Sequence, residues 1–220
     1  MTDQDIVTGA LGRLKVFPLP NGVLIPGCAL PLHIFEPRYR AMVAEALEGD
    51  KVIAVAMLAP GWEKDYEGRP PMRAVAGVGI VEQAEKLADG RYNILLRGVG
   101  RVRFERELAP DKPFREVVAE LVDEKPASDG EQVDLVRRAV LQLSESLPQE
   151  LAQALTIAAA RIKDPGMLCD VVAAAVLDDP GDLQAILETV DVQARVRRLL
   201  GEIGAMLLAA QPEPPGGMLS

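Results

Sequence analysis

The hydrophobic period of this chain shifts from about 2 to about 3.6 at the stretch DEKPASDG (123–130), and that change limits what it can fold into. Before it, apolar residues alternate or run in short blocks punctuated by Gly, Pro and Asn; after it, they recur every three or four positions. A period near 2 belongs to strands and one near 3.6 to helices. The chain therefore reads as α+β, with a β region over 13–124 and a helical bundle over 128–210. The ends, 1–12 and 211–220, are expected to be flexible tails; the second is the Pro- and Gly-rich QPEPPGGMLS.

Within the β region, RLKVFPLPNGVLIPG holds two short apolar runs broken by Pro18, Pro20 and Pro26, so these segments must be edge-like or bent. KVIAVAML (51–58) is a continuous β-favouring run, as expected of a strand buried on both faces. RAVAGVGIVEQAEKLADGRYNILLRG reads as a long hairpin with Asp89 and Gly90 at its tip. GRVRFEREL alternates Val102 and Phe104 against Arg101, Arg103 and Glu105, a strand with one wet face, and PFREVVAELV closes the set. Gly77, Gly79, Gly98 and Gly100 inside strand patterns suggest bulges that curl the sheet into a barrel. In the helical region, Ser128 with Glu131 forms a candidate capping box, and Asp164-Pro165 and Asp179-Pro180 each set a carboxylate cap before a proline at the first helical position.

The stretch PLHIFEPRYRAMV (31–43) carries the one histidine of the chain, and it reads as a joint between a strand and a helix. Pro37 suits the first helical position, Glu36 sets a negative charge at the positive helix end, and Tyr39, Met42, Val43, Ala46 and Leu47 form one apolar stripe. Gly49 is expected to end the helix in the left-handed conformation. His33 is then a partly buried, hydrogen-bonded histidine. Cys28 lies five residues before it, on the opposite face of an extended strand, so the two do not make a catalytic pair.

The net charge of −9 argues against a nucleic-acid or anionic-membrane partner, since phosphates are bound by clustered Lys and Arg. There is no apolar run of about 18 residues, no basic n-region at the N-terminus, no GxxxxGK[ST] and no HExxH. Cys28 and Cys169 have no metal or redox spacing and read as two buried thiols. The expectation is a soluble cytoplasmic protein with no cofactor, no metal and no catalytic residue. The carboxylates of LDDPGD (177–182) sit where helix capping accounts for them.

Taken in order, LKVFPLPNGVLIPGCALPLHIFEPRYRAMV, VGIVEQAEKLADGRYNILLRGVGRVRF and DPGMLCDVVAAAVLDDPGDLQAILETVDVQARVRRLLGEI resemble the N-terminal domain of the Lon ATP-dependent protease, from about Leu14 to Leu208. The resemblance implies a PUA-like pseudo-barrel followed by helices, and a role in recognising unfolded or damaged polypeptides. No serine–lysine dyad or ATPase signature accompanies it, so a stand-alone, non-catalytic binding module is expected, with a separate ATPase or protease as a candidate partner. The candidate polypeptide surface is the loop 59–71 with Trp62 and Tyr66, together with the barrel mouth at Glu36 and Arg38; exposed aromatics supply contact area at small entropic cost. The alternative is an RNA-binding PUA-like module using Arg91, Arg97, Arg101, Arg103 and Arg106, opposed by Glu105 and Glu107 beside them.

Overall fold

A computed structural model describes residues 1–65, 68–127 and 131–209. Six strands make one sheet: β1 (Leu14–Leu19), β2 (Ala29–Ile34), β3 (Val52–Met57), β4 (Val75–Lys86), β5 (Tyr92–Glu107) and β6 (Arg115–Leu121). Two helices accompany them, α1 (Asp3–Ala10) and α2 (Pro37–Glu48). The spatial order is β2-β5-β4-β3-β1-β6, and an additional β5–β6 pairing closes it into a barrel. Closure depends on the length of β5. Its first half pairs with β2, Ile34 opposite Tyr92 and Ala29 opposite Arg97. Its second half pairs with β6, Val102 opposite Leu121.

The glycines expected at bends are there for two reasons. The β4–β5 register slips between Val78, opposite Gly100, and Gly79, opposite Gly98, so Val99 bulges out and the sheet turns. The chain around Leu24 and Ile25 also crosses directly over these strands. A Cβ on Gly77 would lie 1.8 Å from the Leu24 carbonyl oxygen, and one on Gly98 2.3 Å from that of Ile25. Pro18 is tolerated in β1 because β6 pairs only with Leu14, Lys15 and Val16, leaving the proline a single neighbour strand.

The barrel has two cores. Ile53 and Val55 face one with Phe17, Tyr39, Met42 and Leu96, covered by α2. Val52, Ala54 and Ala56 face the other with Val16, Val78 and Val102, covered by α1. This accounts for the unbroken apolar run of β3. It also corrects the expected flexible tail over residues 1–12. Thr2 and Asp5 form a reciprocal capping box, and Val7 is fully buried in the second core. One turn of 3-10 helix, Leu11–Arg13, leads from α1 into β1. A second correction concerns the end of α2: Gly49 has φ −116°, and the left-handed residue is Lys51 with φ 62°.

The helical half comprises α3 (Glu131–Leu143), α4 (Gln149–Arg161), α5 (Pro165–Val176), α6 (Pro180–Glu188) and α7 (Val192–Ala209), packed around Val136, Val140, Leu168, Val172, Ile186, Val196 and Leu199. Asp164 accepts from Met167 N, and Asp179 from Gly181 N and Asp182 N, the expected caps. The candidate cap Ser128 and the tail 211–220 lie outside the described residues. Among the described residues no helix is long and apolar enough to cross a membrane.

Barrel and bundle meet at an apolar patch and an ionic one. Leu187 of α6 packs on Val23, Ile25, Met57 and Val75, while Gln184 Nε2 donates to the Val75 carbonyl at 3.0 Å. Beside this patch, Arg101 of β5 donates to both oxygens of Asp170 of α5, at 2.9 and 2.7 Å. Arg195 of α7 reaches the same carboxylate at 3.1 Å, and both guanidiniums donate to Glu124 Oε1, at 2.6 and 2.7 Å. The side chains of Arg101, Asp170 and Arg195 are 2%, 3% and 0% exposed. Two cations and two carboxylates thus tie β5, the linker, α5 and α7 together.

Candidate functional site

The joint between β2 and α2 is built as its sequence indicates. Glu36 is the N-cap residue with extended φ and ψ, and Pro37 takes the first helical position. The Glu36 side chain turns to Arg38, whose Nε donates to Glu36 Oε2 at 2.9 Å. The Arg38 guanidinium lies 4.7 Å from the Tyr39 ring centroid, and that ring packs edge-on against Phe17 at 4.5 Å. Arg38 and Tyr39 form one wall of a cleft of about 220 Å³. Pro18, Leu58, Phe114 and Pro70 supply its apolar lining, and Arg69 and Arg115 its other charges.

The loop 59–71 is pinned at its neck. Ala59 N donates to the Pro71 carbonyl at 2.8 Å, and Arg115 Nη1 to that of Pro70 at 2.6 Å. Arg115 also grips Glu107 bidentately, 2.7 Å at each oxygen, and Arg69 Nε donates to Glu107 Oε1 at 2.9 Å. Burial alone would raise the Glu107 carboxyl, but the hydrogen bonds from Arg115 and Arg69 bring it below its ordinary value. Trp62 begins a 3-10 turn, Trp62–Asp65, and is half-buried. It is not among the described residues that line the cleft. Tyr66 lies outside the described residues.

The structure thus brings Arg38 to a cleft with Glu36 paired beside it, and adds Arg69, Phe114 and Arg115, which the sequence reading had not singled out. These come from a loop end and from the start of β6. Nothing in their own neighbourhood marks them, because the cleft exists only once β1, α2 and β6 converge.

His33 is hydrogen-bonded as expected, but it is exposed rather than partly buried. Its Nε2 accepts from Arg91 Nη1 at 3.1 Å, since a guanidinium only donates, which leaves Nδ1–H to donate to Asn93 Oδ1 at 2.7 Å. Phe35, 60% exposed, stands beside it with ring centroids 6.3 Å apart. Burial, reinforced by Asp170, pushes the half-buried Cys28 thiol up to about 11, and burial pushes Cys169 to about 12. Both are protonated at neutral pH and make poor nucleophiles.

The arginines near the hairpin do not form a basic stripe. Arg101 leaves the wet face entirely and is buried against Asp170. Arg91 pairs with Asp89, Arg97 with Asp3 and Glu82, and Arg103 with Glu120. The expected wet face is therefore corrected at Arg101 and not at Arg103: no register shift separates the two, but Asp170 of α5 covers Arg101, while Arg103 stays exposed.

Comparison with known proteins bears on this architecture. The Lon protease of Roseiflexus castenholzii is 33% identical over 196 residues, which are 85% of this chain and 23% of that protein. That of Desulfosudis oleivorans is 26% identical over 201 residues, 88% of this chain and 24% of the relative. The chain thus spans about a quarter of the length of the curated relatives it matches. Among solved structures, the N-terminal domain of Mycobacterium avium complex Lon protease superposes with a TM-score of 0.69 at 21% identity, covering 87% of this chain and 98% of that one. A Lon N-terminal domain protein from Xanthomonas campestris gives 0.58 at 21%, covering 91% and 99%. At these identities the likeness is one of fold, and it shares the α+β architecture seen here. A family model described as the ATP-dependent protease La (LON) substrate-binding domain matches residues 13–204, and the chain belongs to that family.

Proposed function

We propose that this chain is a polypeptide-binding module that recognises unfolded or damaged protein segments in the cytoplasm and performs no chemistry of its own. The observation that carries the reading is the match of residues 13–204 to a substrate-binding domain family. The relatives are Lon proteases of which this chain matches about a quarter. A bound segment would therefore be passed to ATPase and protease domains, in whatever chain they reside.

Glu36, Arg38, Trp62 and Tyr66 form the proposed contact surface. The cleft beside Arg38 and Tyr39 supports it: apolar lining from Pro18, Leu58 and Phe114 favours a side chain, with the paired guanidiniums of Arg38, Arg69 and Arg115 around it. The single tryptophan gives a direct test. The protein is titrated with a permanently unfolded, tryptophan-free polypeptide and with a folded control, following Trp62 fluorescence and, in parallel, calorimetry. Saturable binding of the unfolded chain alone, weakened by Arg38→Ala, is the expected result. No binding by either method would refute the proposal, and equal binding of the folded control would refute its specificity.

A further inference from the structure

Helix α2 has an inner and an outer stripe. Tyr39, Met42, Val43 and Ala46 are buried in the barrel core. Pro37, Arg40, Ala41 and Ala44, spaced i, i+3, i+4 and i+7, make the outer one. Between this stripe and the end of the β4–β5 hairpin runs an open groove of about 350 Å³, a size within the range of ligand clefts. It shares no lining residue with the cleft beside Arg38.

Among the described residues, two cations line this groove and no carboxylate does. Arg40 is the one described arginine that is at least half-buried and yet makes no ion pair. Its position is fixed by the hairpin tip. Gly90 has φ 83° there, and a Cβ on it would overlap Arg40 Nη2, so the guanidinium packs against bare glycine. Asp89 lies within the field of Arg40, but its carboxylate is held by Arg91 at 2.6 Å. Lys86 faces Tyr92 across the ladder, exposed, with its ammonium 5.7 Å from the ring centroid and no carboxylate partner. With 33 acidic against 24 basic residues the chain has carboxylates to spare, and it places none on these two cations. A half-buried guanidinium that has lost water without gaining a partner favours an anion from outside.

The same corner carries an apolar anchor. Phe35, 60% exposed, precedes α2 and stands beside His33, which Arg91 contacts at 3.1 Å next to the hairpin tip. From this we infer that the groove is a second polypeptide site, taking an extended acidic segment that also carries a large apolar side chain. A glutamate or aspartate carboxylate accepts from Arg40 and Lys86, and the apolar side chain lies against Phe35. A run of phosphates is disfavoured: only two cations are uncompensated, Glu85 and Asp89 stand on the same hairpin, and the chain carries a net charge of −9. The inference stands independently of the cleft beside Arg38, since it rests on other residues.

The test is calorimetric titration of the full chain with an unstructured peptide of glutamate, leucine and glycine, and with its lysine counterpart. The glutamate peptide binds, more weakly as salt is raised, and the lysine peptide does not. Lys86→Glu weakens binding by roughly tenfold, because an attraction becomes a repulsion at an exposed site. Phe35→Ser weakens the leucine-containing peptide and leaves a peptide of glutamate and glycine unchanged. Arg138→Glu, an equal charge change at an exposed position that does not line the groove, leaves affinity within about twofold. Failure of the glutamate peptide to bind overturns the inference. So does an equal loss in Lys86→Glu and Arg138→Glu, which would mean that only overall charge matters. An oligouridylate that binds more tightly than the peptide, and is weakened by Lys86→Glu, overturns the choice of partner.

Discussion

Asp170→Asn is the most informative single change, because it removes one charge from a closed set of four. Asp170 receives Arg101 at 2.9 and 2.7 Å and Arg195 at 3.1 Å, and the three side chains are at most 3% exposed. Burial by itself raises the Asp170 carboxyl above its ordinary value, and the two guanidiniums work against that rise. With asparagine in place, two buried guanidiniums share Glu124 alone and one positive charge is uncompensated. Breaking a buried pair in this way costs about 3–5 kcal/mol. In a chain of this size each kcal/mol moves the midpoint by about 2–4 °C, so Tm should fall by roughly 6–20 °C. Differential scanning calorimetry at pH 7 measures this directly. A companion double variant, Asp170→Leu with Arg101→Met, leaves Arg195 and Glu124 as a balanced pair and should recover most of the loss, since apolar replacement of a buried ion pair is often neutral or better. A fall of less than about 2 °C for Asp170→Asn would refute the argument, and so would a double variant no more stable than the single one.

Three other outcomes are expected. Glu107 has a lowered carboxyl in the folded state, so its contribution is present above the unfolded value near pH 4.3 and is lost as pH falls through the folded one. Glu107→Gln should therefore be less stable than the parent at pH 7, with the gap closing as the solution is acidified; urea unfolding between neutral and acid pH would expose a constant gap. Gly77→Ala drives a Cβ to 1.8 Å from the Leu24 carbonyl oxygen, which should cost at least about 3 kcal/mol. Gly201→Ala meets nothing within 4 Å inside α7 and should gain about 0.5–1 kcal/mol, so thermal melts of the two must move in opposite directions. With its thiol near 11, native Cys28 should react with iodoacetamide roughly 100-fold more slowly than a free thiol, and Cys169 only after unfolding; rapid labelling followed by mass spectrometry would contradict both.

The elements that could be read from the sequence are those whose signals are local. Gly90 adopts φ 83° at the hairpin tip, Pro37 opens α2, and Asp164 and Asp179 cap their helices, because each decision involves residues only a few positions apart. The N-terminal helix was also locally encoded, by Thr2 with Asp5 and by Ile6, Val7 and Ala10 on one side, but its polar composition concealed that pattern. What could not be read is what depends on distant partners. Arg101 looks like any strand arginine until Asp170 arrives from 69 positions away. The cleft beside Arg38 needs Phe114 and Arg115, more than 70 positions further along the chain, and no spacing in the chain announces that meeting.

The closure of the barrel by β5 and β6, with β1 set beside β6, has a consequence for the time course of folding. Leu14 meets Val117, and β5 must hold β2, β4 and β6 at once, so the ring cannot shut until the last strand is available. Joining ends about 100 residues apart carries a loop-closure entropy, and topologies rich in such distant contacts fold slowly. Helices α3, α4 and α5 pack on their sequence neighbours and face no such delay. Synthesis delivers the barrel first, yet its completion should set the rate: the bundle gains helix quickly, and the protein waits for β6.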